Sequence, residues 1–145
     1  MTTPICADDR FAIQDLLMSY VYAADTGDAQ GYADTFAEKG VLLTSDGQRL
    51  DGYAAILAYA RRILPPIGGR GRQHHFQTIR VAREREAIRV FSFWLVAQRT
   101  NEPDATRLRS QGVCDDLCVK TPQGWRFAER KIGRWTDTTA PWVGA

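Results

Sequence analysis

The sequence predicts an α+β domain: a cone-shaped, curved and mostly antiparallel sheet, wrapped by three N-terminal helices around an internal pocket. Two patterns point to it. Apolar residues recur at helical spacing between Phe11 and Leu64, whereas the chain from Gln73 onward consists of long runs of β-formers broken by short turn signals. Helices and strands are therefore segregated along the chain, which argues for α+β and against an alternating, doubly wound sheet. A strongly curved meander with helices on its concave side leaves a hollow between the two layers.

Each element has its own signal. Asp8 or Asp9 can cap a first helix, in which Phe11, Ile13, Leu16, Leu17, Tyr20 and Val21 recur at helical spacing. Thr26-Gly27-Asp28 stops it and caps a short second helix over residues 29–38, with Tyr32, Ala33 and Phe36 on its inner face. Lys39-Gly40 breaks that helix, residues 41–43 read as a short strand, and Ser45-Asp46-Gly47-Gln48 reads as a hairpin turn. A third helix opens at Asp51-Gly52, turns Tyr53, Ile56, Leu57, Ala60 and Leu64 to its apolar side, and ends at Pro65-Pro66. A glycine-rich loop at 68–71 precedes four strands, at 73–83, 87–100, 107–120 and 125–135. The second carries Ile88, Val90, Phe91, Phe93, Trp94 and Val96.

A chain of 145 residues fits one domain, 1–145, with flexible tails expected at 1–7 and 137–145. With 44% hydrophobic and 25% charged residues, disorder as the main state is excluded. The net charge of +2 gives no reason to expect a nucleic-acid partner. Arg61, Arg62, Arg70, Arg72, Arg80, Arg83, Arg85 and Arg89 do crowd the middle of the chain, but Glu84 and Glu86 interleave with the last of them, as in a solvated hairpin. The first nine residues have neither a basic stretch nor an apolar one, so no secretory leader is expected. No apolar run approaches the ~18 residues of a membrane span. A cytoplasmic protein with no membrane partner is the expectation, and Cys114 and Cys118, four apart on one strand face, are expected as reduced core thiols.

The candidates for chemistry are few. Asp25 closes the first helix one turn after Tyr22 and two after Met18, which would place the three on one helix face. A carboxylate held in an apolar hollow is a usable proton acceptor. His74 and His75 are the only histidines, and at a strand start they must point to opposite faces, one to the pocket and one away. An imidazole beside a carboxylate is a general-base pair, because the carboxylate fixes the tautomer and stabilises the imidazolium. Two histidines on opposite faces cannot chelate one ion, and no spaced His/Cys/carboxylate set exists, so no metal and no cofactor are expected. Tyr22 is a candidate donor to an oxygen gaining charge. Trp94, Tyr53, Arg109 and Gln111, with Arg130, are candidates for contact with an aromatic or fused-ring guest.

The segments Ala12-Ile13-Gln14-Asp15-Leu16-Leu17, Tyr22-Ala23-Ala24-Asp25-Thr26-Gly27-Asp28 and Tyr32-Ala33-Asp34-Thr35-Phe36-Ala37 resemble the start of a SnoaL-like domain, within the nuclear transport factor 2-like superfamily. Gln73-His74-His75-Phe76, Gly124-Trp125-Arg126-Phe127-Ala128 and Arg134-Trp135 extend the likeness over nearly the whole chain. Within that superfamily the chain is similar to scytalone dehydratase and hexachlorocyclohexane dehydrochlorinase, which use a helix-end aspartate and a histidine at the start of the strand after the third helix. The resemblance implies that Asp25 is that aspartate and that His75, next to Phe76, is the histidine, with His74 as the other option and a substrate-contacting residue. Ala97, Ala24 and Thr44 stand where the dehydratase has a second histidine and two tyrosines. The implied function is a cofactor-independent lyase, a dehydratase or related elimination enzyme, or an isomerase, acting on a small hydrophobic substrate, in a homo-oligomer (dimer or trimer). The alternatives are a small-molecule-binding or partner-binding domain of the same fold, and the small subunit of an oxygenase.

Overall fold

The computed structural model describes residues 4–65, 71–100, 102 and 105–134. The predicted glycine-rich loop falls mostly outside that range, as do Trp135, the C-terminal tail and residues 1–3. Helix α1 spans Ala7–Thr26, α2 Ala29–Asp34 and α3 Tyr53–Ile63; the strands are β1 Phe36–Leu43, β2 Arg49–Asp51, β3 Arg72–Glu84, β4 Ala87–Arg99, β5 Thr106–Thr121 and β6 Gly124–Arg134. They form one open, six-stranded sheet in the order β2-β1-β6-β5-β4-β3. Only β1 and β6 run parallel; every other neighbouring pair is antiparallel. Among the described residues no helix is long and apolar enough to cross a membrane.

The short strand expected at 41–43 begins earlier, at Phe36, whereas the four long predicted strands are all present, each within a residue of its expected ends where the residues are described. The reason is visible in β4, where every second residue from Ile88 to Val96 is buried and its neighbours are only half-buried. A strand packed on one face cannot slip by a residue without exposing its whole apolar set. The second helix is shorter than predicted. It ends at Asp34, and Phe36 begins β1 instead of continuing the helix. Phe127 N–H donates to Thr35 O at 2.9 Å, so sheet pairing claims the chain there before the helix can extend.

The cap of α1 also differs from expectation. Cys6 holds the N-cap position, and its sulfur accepts the Asp9 N–H at 3.4 Å. Asp8 and Asp9 lie in the first turn, where carboxylates favour the positive end of the helix dipole. Asp9 also ties the helix to the sheet, accepting the Trp125 indole N–H at 2.9 Å. Ile5, in the expected N-terminal tail, packs against the core.

The core lies between the helices and the concave face: Ile13, Leu17 and Tyr20 of α1, Tyr32 and Ala33 of α2, Ile56 and Ala60 of α3, against Leu42, Ile88, Val90 and Phe127. Cys114 and Cys118 are buried and unbonded to each other. A smaller, separate cluster consists of Trp94, Val96 and Cys114, with Phe76 and Ile132 packed against it. It depends on Gly112, which faces Trp94 across the β4–β5 pair. A methyl group on Gly112 would run into the carbonyl oxygen of Gly133 and lie 2.6 Å from the Trp94 ring. Overpacking of this kind costs roughly 1–3 kcal/mol, more where the clash is with backbone. Gly112→Ala is therefore expected to lower the urea midpoint by at least that equivalent, and an unchanged midpoint would show that the β5–β6 pairing yields freely.

Candidate active site

The helices and the concave face enclose a cavity of about 230 Å³. Its buried walls are Tyr20 of α1, Tyr32 of α2, Trp94 and Val96 of β4, Cys114 of β5 and Arg130 of β6. Its exposed lining, Ser45, Arg109 and Arg134, marks the mouth. Strand β3 supplies Arg72, His74 and Phe76, three residues two apart that share one strand face.

His74 meets Asp25 at the side of this cavity. His74 Nδ1 lies 2.5 Å from Asp25 Oδ1, and the His74 backbone N–H donates to Oδ2 at 2.8 Å. Both side chains are mostly buried, with 22% and 18% of their surface exposed. Asp25 is not a lining residue; it stands behind His74, on the last turn of α1. Both carboxylate oxygens act as acceptors, which assigns the proton of the neutral imidazole to Nδ1. Nε2 is then the bare nitrogen, free of Asp25 and able to accept a proton.

A second polar set forms the floor. Arg130 Nη1 donates to Asp116 Oδ2 at 2.6 Å, and neither side chain is exposed at all. The guanidinium lies 4.0 Å from the Tyr20 ring centre, 4.6 Å from Phe127 and 5.1 Å from Phe76, a desolvated cation stacked among aromatic faces. Burial pushes the Asp116 carboxyl up to about 7, against the pull of Arg130. Burial also pushes the Cys114 thiol up to about 12, so it is protonated at neutral pH and is no nucleophile. The Tyr20 and Tyr32 hydroxyls are 2.7 Å apart. Burial raises Tyr20 to about 12 and Tyr32 well above the usual phenol value, so both remain hydrogen-bond donors. One donates to the other, and the second keeps an O–H to offer to a guest.

A model of the SnoaL-like domain matches residues 7–131. The chain belongs to the SnoaL-like family. The fold is shared with Aln2 from a Streptomyces species, at 20% identity over 91% of this chain and 94% of that one, with a TM-score of 0.80. ActVI-ORFA from Streptomyces coelicolor gives 20% identity, 86% and 96% coverage and a TM-score of 0.76. A scytalone dehydratase candidate from Novosphingobium aromaticivorans gives 22% identity, 90% and 89% coverage and a TM-score of 0.72. No curated protein matches the chain. At these identities the likeness concerns fold, and the activity has to be argued from the site.

In this SnoaL-like domain several expected site residues sit elsewhere than predicted. His75 is exposed on the outward face of β3, in a shallow depression with Gln77, Leu95 and Gln111, so neither His75 nor Gln111 reaches the cavity. The strand period decides this: Phe76 turns inward, so His74 turns inward with it and His75 does not. Tyr22 is 70% exposed and Met18 46%, because they lie across α1 from the buried Ile13, Leu17, Tyr20 and Ala24. On α1 it is Tyr20 that lines the pocket. Tyr53 hydrogen-bonds Asp34 at the α2–α3 junction, its hydroxyl donating to Oδ1 at 2.8 Å, and Tyr59 takes the pocket position on α3. Trp94, Arg109 and Arg130 do line the cavity. Arg72 is not among the residues the sequence singles out for the pocket; its two-residue spacing from His74 is the available signal. Among the described residues no His/Cys/Asp/Glu group could hold a metal ion.

Proposed function

We propose that this SnoaL-like domain is a cofactor-independent lyase, a dehydratase or a related elimination enzyme, or an isomerase, acting on a small hydrophobic ring compound. The Asp25–His74 contact at the wall of the cavity carries this reading. Asp25 holds the imidazole with Nδ1 protonated, His74 Nε2 takes a proton from the substrate, and Asp25 stabilises the imidazolium that forms. In elimination, the electron pair of the broken C–H bond forms the new double bond as the leaving group departs; in isomerisation, His74 returns the proton at another carbon. The O–H left over in the Tyr20–Tyr32 pair donates to the oxygen that gains charge. This chemistry asks for one base and one donor.

The cavity lies below the roughly 300–1,000 Å³ of typical ligand pockets, which favours a one- or two-ring guest. The same reading carries a homo-oligomer, dimer or trimer, joined through the outward sheet face, where Leu108 is 76% exposed. The test is a turnover screen on ring alcohols, ring halides and cyclic ketones, in wild type and His74→Ala side by side. Wild-type turnover that His74→Ala loses supports the reading. Binding without turnover across the series supports a ligand-binding domain instead.

A further inference from the structure

We propose that the cavity takes an organic anion, a one- or two-ring carboxylic acid whose carboxylate lies between Arg72 and Arg109 while its ring fills the apolar interior. This deepens the reading above and rests on the same site, because His74 and both arginines line one cavity.

Three observations carry it. First, β4 and β5 slip register at this point: Val96 pairs with Ser110 and Ala97 with Leu108, which leaves Arg109 as the extra residue of a β-bulge. Bulges re-aim side chains and are frequent beside active sites. Here the bulge residue is one that lines the mouth. Second, Arg72 and Arg109 line the same cavity, and the charge of one acts on the other. Burial first, and then the charge of Arg109, depress the Arg72 guanidinium, with Asp25 pulling the other way. Third, neither arginine has a carboxylate partner among the described residues. Arg49, Arg83, Arg89, Arg107 and Arg130 all make ion pairs with Asp or Glu. Arg72 makes only a long hydrogen bond, 3.5 Å from Nε to Gln98 Oε1. Asp25, the carboxylate whose charge acts on Arg72, is occupied on both oxygens by His74.

Two like charges facing one cavity without a counterion are unfavourable in the empty protein, and a bound anion relieves that. A guanidinium pair suits a carboxylate, which each can engage through parallel N–H donors. The ring would then rest among Phe76, Trp94 and Val96, within reach of His74.

The test is calorimetric titration of benzoate, 1-naphthoate and 2-naphthoate, each against its neutral carboxamide. At least one acid should bind at least tenfold more tightly than its amide, and rising salt should erode the difference. Arg109→Gln, at an exposed position where folding is not at stake, should bring the acid to the level of the amide; Arg109→Lys should recover part of the preference. Arg72→Gln should act in the same direction. If no acid of the series binds more tightly than its amide, or if Arg109→Gln leaves the preference intact, the proposal is overturned. His74→Ala should retain the preference while losing any turnover, which separates a failure of the base assignment from a failure of the substrate class.

Discussion

Asp25→Asn should lower kcat by about 10²–10⁴-fold, the range that a positioned general base supplies. The carboxamide keeps the size of the side chain but cannot hold Nδ1 protonated with both oxygens accepting, as the carboxylate does at 2.5 and 2.8 Å. The imidazole then loses its fixed tautomer and the charge that would stabilise the imidazolium. His74→Ala should cost at least as much. The double variant should be little worse than the worse single one, since groups that act as a unit are not additive. His75→Ala and Tyr22→Phe, both on the surface, should stay near wild type. Steady-state rates on a substrate found by the turnover screen measure all five. A His75→Ala variant as impaired as His74→Ala would contradict the assignment.

At about pH 8, above the Asp116 value of about 7, Asp116→Ala should cost about 3–5 kcal/mol of stability, the usual loss on breaking a buried ion pair by removing one partner. Such a loss is a large fraction of the roughly 5–15 kcal/mol that holds a domain folded. Arg130 cannot shed its charge, so the variant must bury an uncompensated cation among Tyr20, Phe76 and Phe127. Arg130→Met should cost less near pH 5, because Asp116 can take up a proton where arginine cannot release one. Urea unfolding measures both. A midpoint for Asp116→Ala within about 1 kcal/mol equivalent of wild type, as for a surface substitution, would contradict the account.

The pH profile has a definite sign. Asp116 is pushed by burial to about 7 from the ordinary 3.8, so between those values the folded chain binds a proton that the unfolded chain has lost. The contribution of Asp116 to the unfolding free energy should therefore fall as pH rises through this range, read as the difference between wild type and Asp116→Asn. Asp116→Asn should remove this fall while lowering the whole curve.

The sheet was legible in the sequence because its signals are local and repetitive. The alternation from Ile88 to Val96 fixes which side of β4 is buried, and Gly124 with its neighbours fixes the turn into β6. The site was legible only in part, since it depends on which way single side chains turn. Asp25 was found because helix α1 ends there. The choice between His74 and His75 is set by the strand face: the adjacency of His75 to Phe76 points to the wrong histidine, and the two-residue period from Phe76 to His74 carries the information. Helical spacing puts Tyr22 on a face with Asp25, but the buried stripe of α1 runs through Ile13, Leu17, Tyr20 and Ala24. The Asp116–Arg130 pair was not legible as a pair: the register of β5 and β6, with Asp116 opposite Arg130, joins residues fourteen apart in the chain.

With only two histidines in the chain, ¹⁵N NMR of the imidazole nitrogens resolves the central question without a substrate. At a pH where both imidazoles are neutral, His74 should show a single tautomer with the proton on Nδ1 and Nε2 bare; Asp25→Asn should release it into a tautomer mixture, while His75 stays unchanged. Two imidazoles that behave alike, both indifferent to Asp25→Asn, would mean that no carboxylate orients a base in this cavity.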